Sequence, residues 1–226
     1  MKRFVILTEK PWHKSLYLSL QKVIAEADWV LIDEKKNFSY EELEKLQPEK
    51  IFIPHWSYII PPQIFKKFEC IVFHMTDLPY GRGGSPLQNL IAKGHSETKI
   101  SAIRVEKGLD TGPVYLKAPL SLMGTAQEIF LRSTDVIEKM IEEIIIHDLN
   151  PVPQSGEITE FIRRKPEQGN IERLDTVEQV FDYIRMLDCE GYPPAFFETK
   201  EFRFEFTRAS LKSEKEILAD VRIIKK

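Results

Sequence analysis

Two side chains in this sequence have the type and the setting for acid–base chemistry. His74 follows the apolar run Cys70-Ile71-Val72-Phe73 and enters a loop holding Asp77, Pro79 and the glycines Gly81, Gly83 and Gly84. Glycine opens backbone angles closed to other residues and lets a ligand approach the main chain. A histidine at the carboxyl end of a buried strand, above such a loop, lies where open α/β folds place ligands and chemistry. Its imidazole can give or accept a proton near neutral pH. Asp110 falls in Gly108-Leu109-Asp110-Thr111-Gly112-Pro113, between two strand-like runs. A carboxylate brought beside an imidazole orients it and favours its charged form. Each residue alone also has an ordinary reading, a polar strand end and a turn aspartate. The glycine-rich loop lacks the Gly-Lys-Ser/Thr ending of a phosphate-binding P-loop. His74-x-x-Asp77 is half a metal site that no second His/Asp cluster completes, so no metal site is expected.

The elements that must hold these residues alternate. Phe4–Leu7, Trp29–Ile32, Ile51–Ile53 and Cys70–Phe73 read as short buried strands. Between them, a helix is expected from Pro11 through Ala27, with Leu16, Leu20, Val23 and Ala27 on one face. A short helix opens at Ser39 with a capping-box pattern, and a helical turn covers Ile64 to Lys67. Ser85 and Pro86 read as N-cap and first residue of a further helix. Strand-like runs at Lys99–Val105 and Val114–Lys117, joined by a short turn, read as antiparallel neighbours. The longest helical pattern runs from Thr125 to His147, with Ile129, Val136, Met140 and Ile144 on its apolar face and Pro151 beyond its end. A helix follows at Val177–Leu187, and Phe202–Thr207 alternates as an edge strand or hairpin arm. The tail after Lys212 is charged and shows no clear pattern. Strands alternating with helices argue for an α/β fold with a Rossmann-like, mainly parallel sheet. The expected division is a catalytic core over 1–150 and a small C-terminal extension over 151–226.

The chain has 226 residues, a formal charge of −3 and two cysteines. That length can bury a sizeable core. The acidic balance offers no bulk attraction to nucleic acid or anionic membrane. The scarcity of cysteine suits a reducing cytoplasm. No signal peptide or membrane-length apolar run is visible.

The stretch from His74 to Gln88, His-Met-Thr-Asp-Leu-Pro-Tyr-Gly-Arg-Gly-Gly-Ser-Pro-Leu-Gln, resembles the signature of the folate-dependent formyltransferases. Gly108 to Pro113 resembles that family's second motif, ending in Asp-x-Gly. Phe161 to Ile171, Arg185 to Asp188 and Tyr192 to Phe196 continue the likeness, so it covers nearly the whole chain. The resemblance implies formyl transfer from 10-formyltetrahydrofolate to a primary amine, with His74 and Asp110 as the catalytic residues. There is one departure. The family's motif reads Asn-x-His, and here Val72 stands in the asparagine's place. Asn89, Ser57 and Thr76 are the candidates to supply the missing donor.

By the same resemblance, the pterin lies against His55-Trp56-Ser57-Tyr58-Ile59 and against the turn holding Gly108 and Leu109. Trp56 and Tyr58 fit a core role equally well, and His55 fits a structural one. Thr76, Tyr80, Arg82, Gly83, Gln88 and Arg163 are the residues expected to meet the acceptor. Arg82 is the best placed for an anion, since flanking glycines open the backbone around it. The acidic balance and a C-terminal stretch too short for a full barrel domain point away from tRNA. The acceptor expected is therefore a nucleotide-linked amino sugar, UDP- or dTDP-linked, in surface polysaccharide biosynthesis, with no nucleic acid and no membrane as partner. A homodimer is expected on the family's habit alone. The alternatives are an aminoacyl group on a carrier domain, water as acceptor in a hydrolase, and an inactive relative that binds folate or sugar nucleotide.

Overall fold

The computed structural model describes residues 1–226 and separates into two compact units. The first comprises Met1–Gly83, Thr98–Leu120 and Leu131–Glu160; the second comprises Gly84–Glu97, Ser121–Phe130 and Phe161–Lys226. No helix is long and apolar enough to cross a membrane.

The first unit is built on a six-stranded sheet. Its strands are β1 (Arg3–Thr8), β2 (Asp28–Ile32), β3 (Lys50–His55), β4 (Glu69–His74), β6 (Glu97–Arg104) and β7 (Val114–Ser121), in the order β2-β1-β3-β4-β6-β7; the two-residue strands β5 (Arg82–Gly83) and β8 (Glu160–Phe161) are not part of it. The pairs β1–β2, β1–β3 and β3–β4 are parallel, whereas β4–β6 is antiparallel. The apolar runs are near-continuous because parallel strands are covered on both faces. Val5, Ile6, Leu7, Ile51, Phe52 and Ile71 have no meaningful exposure. A cluster of Val5, Leu7, Ile51, Ile53, Ile60, Ile64 and Cys70 forms one layer of this core. Burial and the neighbouring Glu69 carboxylate push the Cys70 thiol up to about 12.

Helix α1 (Lys14–Val23) is shorter than the spacing of apolar residues predicts. Pro11–His13 forms a 3-10 turn ahead of it, and the chain leaves the helix at Ile24, whose φ of −120° and ψ of 65° are not helical. Ile24 is therefore buried in the place expected for Val23, which is half exposed at 52%. The indole N–H of Trp29 donates to the Ile24 carbonyl (3.3 Å) and holds this exit. Helix α2 (Tyr40–Leu46) starts as predicted, with the Ser39 hydroxyl accepting from the Glu42 N–H (3.2 Å). Helix α3 (Pro62–Phe65) is a single turn, and its Ile64 is buried. The C-terminal part of α5 (Ala126–Ile146) buries Ile137, Met140, Ile141 and Ile144, while Val136 sits at the stripe's edge.

The second unit contains α4 (Pro86–Ala92), the start of α5, α6 (Val177–Arg185) and a three-stranded sheet ordered β11-β10-β9. Those strands are β9 (Ala195–Glu198), β10 (Phe202–Ser213) and β11 (Glu216–Lys225). Pro86 does open α4. Ser85, however, has a φ of +53° and makes no side-chain cap; its hydroxyl accepts the Arg164 N–H instead (3.1 Å). Of the two readings of Phe202–Thr207, the structure shows the hairpin arm and not the edge strand. It lies in the middle strand, because the charged tail returns as β11 after a turn at Glu214-Lys215. Phe204 stacks on Phe197 at 4.6 Å between ring centroids, so this sheet is held by aromatic contacts that only cross-strand pairing creates. Helix α6 carries the capping box of Thr176 and Gln179 at its start.

Candidate active site

The carboxyl end of β4 delivers His74 to the edge of the first unit's core, with 7% of its side chain exposed. Its antiparallel partner across β4–β6 is Ser101. The fully buried Ser101 hydroxyl accepts the Leu78 N–H (3.2 Å) and donates to the Thr76 carbonyl (2.7 Å). This ties the loop after His74 to the neighbouring strand. Asp77 adds a second tie. Its carboxylate meets Lys117 (2.5 Å) and Lys99 (2.9 Å), and the Lys117 ammonium also donates to the Leu78 carbonyl. Partial burial would raise the Asp77 carboxyl, but the hydrogen bonds from the two lysines outweigh it and hold the group below its ordinary range.

Both imidazole nitrogens of His74 face acceptors. Nε2 lies 2.8 Å from the Gly81 carbonyl, and Nδ1 lies 3.5 Å from Asp110 Oδ2. A carbonyl can only accept, so Nε2 carries a proton in this arrangement. The Thr76 hydroxyl, fully buried, also donates to the Gly81 carbonyl (3.4 Å). Asp110 Oδ2 in turn accepts the Gly83 N–H (2.9 Å), so the glycine loop and the aspartate turn meet directly.

The turn that carries Asp110 is set by close backbone approach. Asp110 has a φ of +53°, sparsely populated for a residue with a side chain. A Cβ at Gly112 would stand 1.7 Å from the Arg104 carbonyl oxygen, so only glycine passes there. The Arg104 N–H donates to the Pro113 carbonyl (3.0 Å) and closes the turn.

One residue of this constellation was not anticipated. Gln154, just past Pro151 and Pro153 and given no role in the sequence analysis, donates its amide N–H groups to the carbonyls of Asp110 and Gly112, both at 2.8 Å. Its carbonyl oxygen accepts from Arg82 Nε (3.1 Å) and from the Arg82 Nη2 (2.8 Å). Its partners lie 42 to 72 residues away in the chain, and no local pattern announces such contacts.

Of the three candidates for the missing asparagine, none stands in its place. Ser57 hydrogen-bonds the Glu9 carboxylate, and Thr76 is spent on Gly81. Asn89, in the second unit, donates to the carbonyls of Gly84 (2.9 Å) and Ile162 (3.0 Å). Val72 itself is half-buried against Leu78, Ile103 and Val114. It shares a strand face with His74, two residues on.

The residues expected at the pterin lie on the rim of the same unit. Trp56 packs edge-on against Phe38 (5.6 Å) and Tyr58 (5.4 Å), and its buried indole N–H has no hydrogen-bond acceptor. Ile59 and Leu109 are exposed at 79% and 58%. Trp56 and Val105 both pack against the same core cluster. Tyr58 is held under the Lys35 ammonium at 4.1 Å. His55 lies with its ring 6.2 Å from Trp12 and 6.4 Å from His13. Burial, then the Lys10 charge, pushes it down to about 4. Gly108 has a φ of +111° and leaves its turn exposed. Thr76, Tyr80, Arg82 and Gly83 belong to the loop of the first unit. Gln88 and Arg163 belong to the second unit. There Gln88 is buried and donates to the Met186 carbonyl (3.3 Å), and Arg163 is exposed with its Cβ against Gly84.

A strand-end histidine paired with a turn aspartate on a mainly parallel sheet defines a class that comparison makes specific. The formyl transferase family matches residues 19–142, and the C-terminal domain of methionyl-tRNA formyltransferase matches residues 166–224. The chain belongs to the formyl transferase family, the one-carbon transferases whose donor is 10-formyltetrahydrofolate. It is 27% identical over 179 residues to methionyl-tRNA formyltransferase of Thermodesulfovibrio yellowstonii, covering 76% of this chain and 58% of that protein. To the enzyme of that name from Francisella philomiragia it is 26% identical, covering 92% of this chain and 71% of that one. The chain thus spans little more than half to under three quarters of the length of these relatives. A solved structure titled methionyl-tRNA formyltransferase from Clostridium thermocellum superposes with a TM-score of 0.96 at 46% identity, with both chains covered in full. HypX from Aquifex aeolicus in complex with tetrahydrofolic acid shares the fold at 19% identity and a TM-score of 0.75, covering 94% of this chain and 38% of that one.

These findings correct the acceptor expected from the sequence. Sugar N-formyltransferases share only the fold; that of a Shewanella species is 14% identical with a TM-score of 0.69, covering 88% of this chain and 94% of that one. The relatives similar in sequence carry the name methionyl-tRNA formyltransferase. The amino-sugar nucleotide, and the expectation of no nucleic-acid partner, are overturned. The expectation failed because bulk charge and C-terminal length speak to how tightly an acceptor is held, not to which amine reaches the site.

Proposed function

We propose that this chain transfers the formyl group of 10-formyltetrahydrofolate to the α-amino group of methionine esterified to tRNA, as a cytoplasmic enzyme. The observation that carries the reading is the His74–Asp110 pair, in a chain 46% identical throughout to a structure titled methionyl-tRNA formyltransferase. The donor supplies an activated formyl carbon. Trp56, Ile59 and Leu109 are of the kind a flat heterocycle needs: two exposed aliphatic side chains and an aromatic one whose N–H lacks an acceptor. A new bond forms from the amine nitrogen to the formyl carbon, and the carbon's bond to the donor nitrogen breaks. The amine proton must leave and the donor nitrogen must gain one.

His74 is the group that moves this proton or donates to the developing negative oxygen. Its Nε2, which carries a proton, exchanges the Gly81 carbonyl for a reacting group, donates to the developing oxygen or gives that proton to the departing donor nitrogen, and only then can take up the amine proton. Asp110 holds the other nitrogen and orients the ring. Arg82 meets no carboxylate and offers its charge to an anionic acceptor or oxyanion. An aminoacyl group on a protein carrier presents the same α-amine and is the second acceptor class.

Methionyl-tRNA and an aminoacylated carrier domain are each incubated with 10-formyltetrahydrofolate, and formylated product is followed by mass. Formyl-methionine on tRNA is the expected result; transfer only to the carrier supports the second class. His74→Ala and Asp110→Ala should each lose most turnover while staying folded. Transfer to neither acceptor, or wild-type turnover in His74→Ala, defeats the reading.

A further inference from the structure

We propose that Gln154 is a positioning residue of this site: its amide fixes the Asp110 turn and the Arg82 guanidinium to each other, and through Asp110 it sets the His74 ring. The inference rests on the formyl-transfer reading and adds to it a residue outside both sequence motifs. Every hydrogen-bonding position of the Gln154 amide is used. Its two N–H groups go to the Asp110 and Gly112 carbonyls, and its oxygen takes two N–H groups from Arg82. Carbonyls only accept and guanidinium only donates, so the amide has a single productive orientation. A side chain so satisfied is rigid, and it grips the carbonyl of Asp110, the residue with the unusual φ of +53°, and that of Gly112 two residues on.

The consequence runs through backbone rather than charge. Asp110 Oδ2 must reach both the Gly83 N–H at 2.9 Å and His74 Nδ1 at 3.5 Å. Holding the carbonyls of residues 110 and 112 fixes the Asp110–Thr111 and Gly112–Pro113 peptide planes, and with the first of them the direction of the Asp110 side chain. Without Gln154, those two carbonyls lose their donor and the turn can relax.

Glutamate separates the two grips. Gln154→Glu keeps the shape and pairs better with Arg82, but its carboxylate faces two carbonyl oxygens with no hydrogen to donate. Gln154→Ala removes both grips. If Gln154 acts through the Asp110 turn, both variants should lower kcat on the order of 100-fold, the cost typical of a misplacement near 1 Å. KM for 10-formyltetrahydrofolate should stay unchanged. The loss should vanish in the background of Asp110→Asn, since a residue that acts through Asp110 has nothing left to position. Alongside, the ¹⁵N shifts of the His74 ring are compared between wild type and both variants; they report the ring's hydrogen bonds without any acceptor or donor present.

Shifted His74 resonances with non-additive loss of kcat support the assignment. Unchanged kcat in Gln154→Ala, or losses that simply multiply with Asp110→Asn, overturn it. So do unmoved His74 resonances in both variants. If wild type itself transfers no formyl group, the proposed function fails while the resonance comparison still decides whether Gln154 sets the ring.

Discussion

Replacing Gly112 by alanine tests whether the Asp110 turn is shaped by close backbone contact. The added Cβ would lie 1.7 Å from the Arg104 carbonyl oxygen, where ordinary contact begins at 3.4 Å. The two backbones must part by roughly the difference, because the obstructing atom is main chain and cannot rotate away. That separation strains the Arg104–Pro113 hydrogen bond (3.0 Å) and the Gln154–Gly112 hydrogen bond (2.8 Å). Overpacking typically costs about 1–3 kcal/mol, and each lost hydrogen bond adds about 1 kcal/mol. The expected destabilisation is then on the order of 4 kcal/mol, a fall in Tm of roughly 10 °C for a chain of this size. Turnover should fall on the order of 100-fold, since Asp110 moves with the turn. Gly94→Ala is the control. Gly94 has a φ of +79° and open space where its Cβ would go, so alanine there costs only conformational strain, about 1 kcal/mol. Thermal melts and formyl-transfer rates of the two variants decide the matter. If Gly112→Ala is no less stable than Gly94→Ala and retains turnover, the steric account of this turn is wrong.

Further expectations concern stability. His13 is buried with its Nδ1 3.1 Å from the Thr134 hydroxyl, and burial pushes it down to about 3; His55 is pushed down to about 4. Both stay neutral in the folded chain while the unfolded chain binds protons below its ordinary range near 6.5, so stability should be full above that pH and fall progressively through about 4 and 3. Denaturant midpoints measured from pH 7.5 to 4 should decline, and His13→Gln should flatten the slope; a flat profile for the wild type would count against buried neutral histidines. Leu20→Ala removes a fully buried side chain and should cost about 2–5 kcal/mol. Val23→Ala, on the half-exposed side of the same helix, should stay within about 0.5 kcal/mol. Equal effects in urea titrations would refute the register of α1. Val72→Asn restores the residue type of the family motif, but its partners Leu78, Ile103 and Val114 are apolar. It should destabilise by about 1–3 kcal/mol and leave turnover no higher; a large gain in rate would mean the site lacks a donor.

Much of the first unit was legible in the chain because its signals are local. Near-continuous apolar runs at Val5–Leu7 and Ile51–Ile53 mark strands covered on both faces. Ser39 and Glu42 mark a helix start, and the glycine loop after His74 marks the end of β4. The end of α1 was not legible, because what stops it is the packing of Ile24 and Trp29, and Trp29 belongs to the next strand. Phe202–Thr207 left edge strand and hairpin arm both open for a similar reason. Its partner strand follows a charged turn, and polar composition there masked the alternation of Val221 and Ile223 opposite Phe206 and Phe204.

The site divides in the same way. The types of His74 and Asp110, their places at a strand end and a turn, and the need for glycine between them are properties of short stretches, and the sequence alone determined them. That His74 Nδ1 comes within 3.5 Å of Asp110, that Gly112 lies under the Arg104 carbonyl, and that Gln154 joins Arg82 to the aspartate turn were decided only by the tertiary structure. Those contacts bridge residues dozens of positions apart. Their geometry follows from which strands lie side by side in the sheet, and no run of neighbouring residues contains that order.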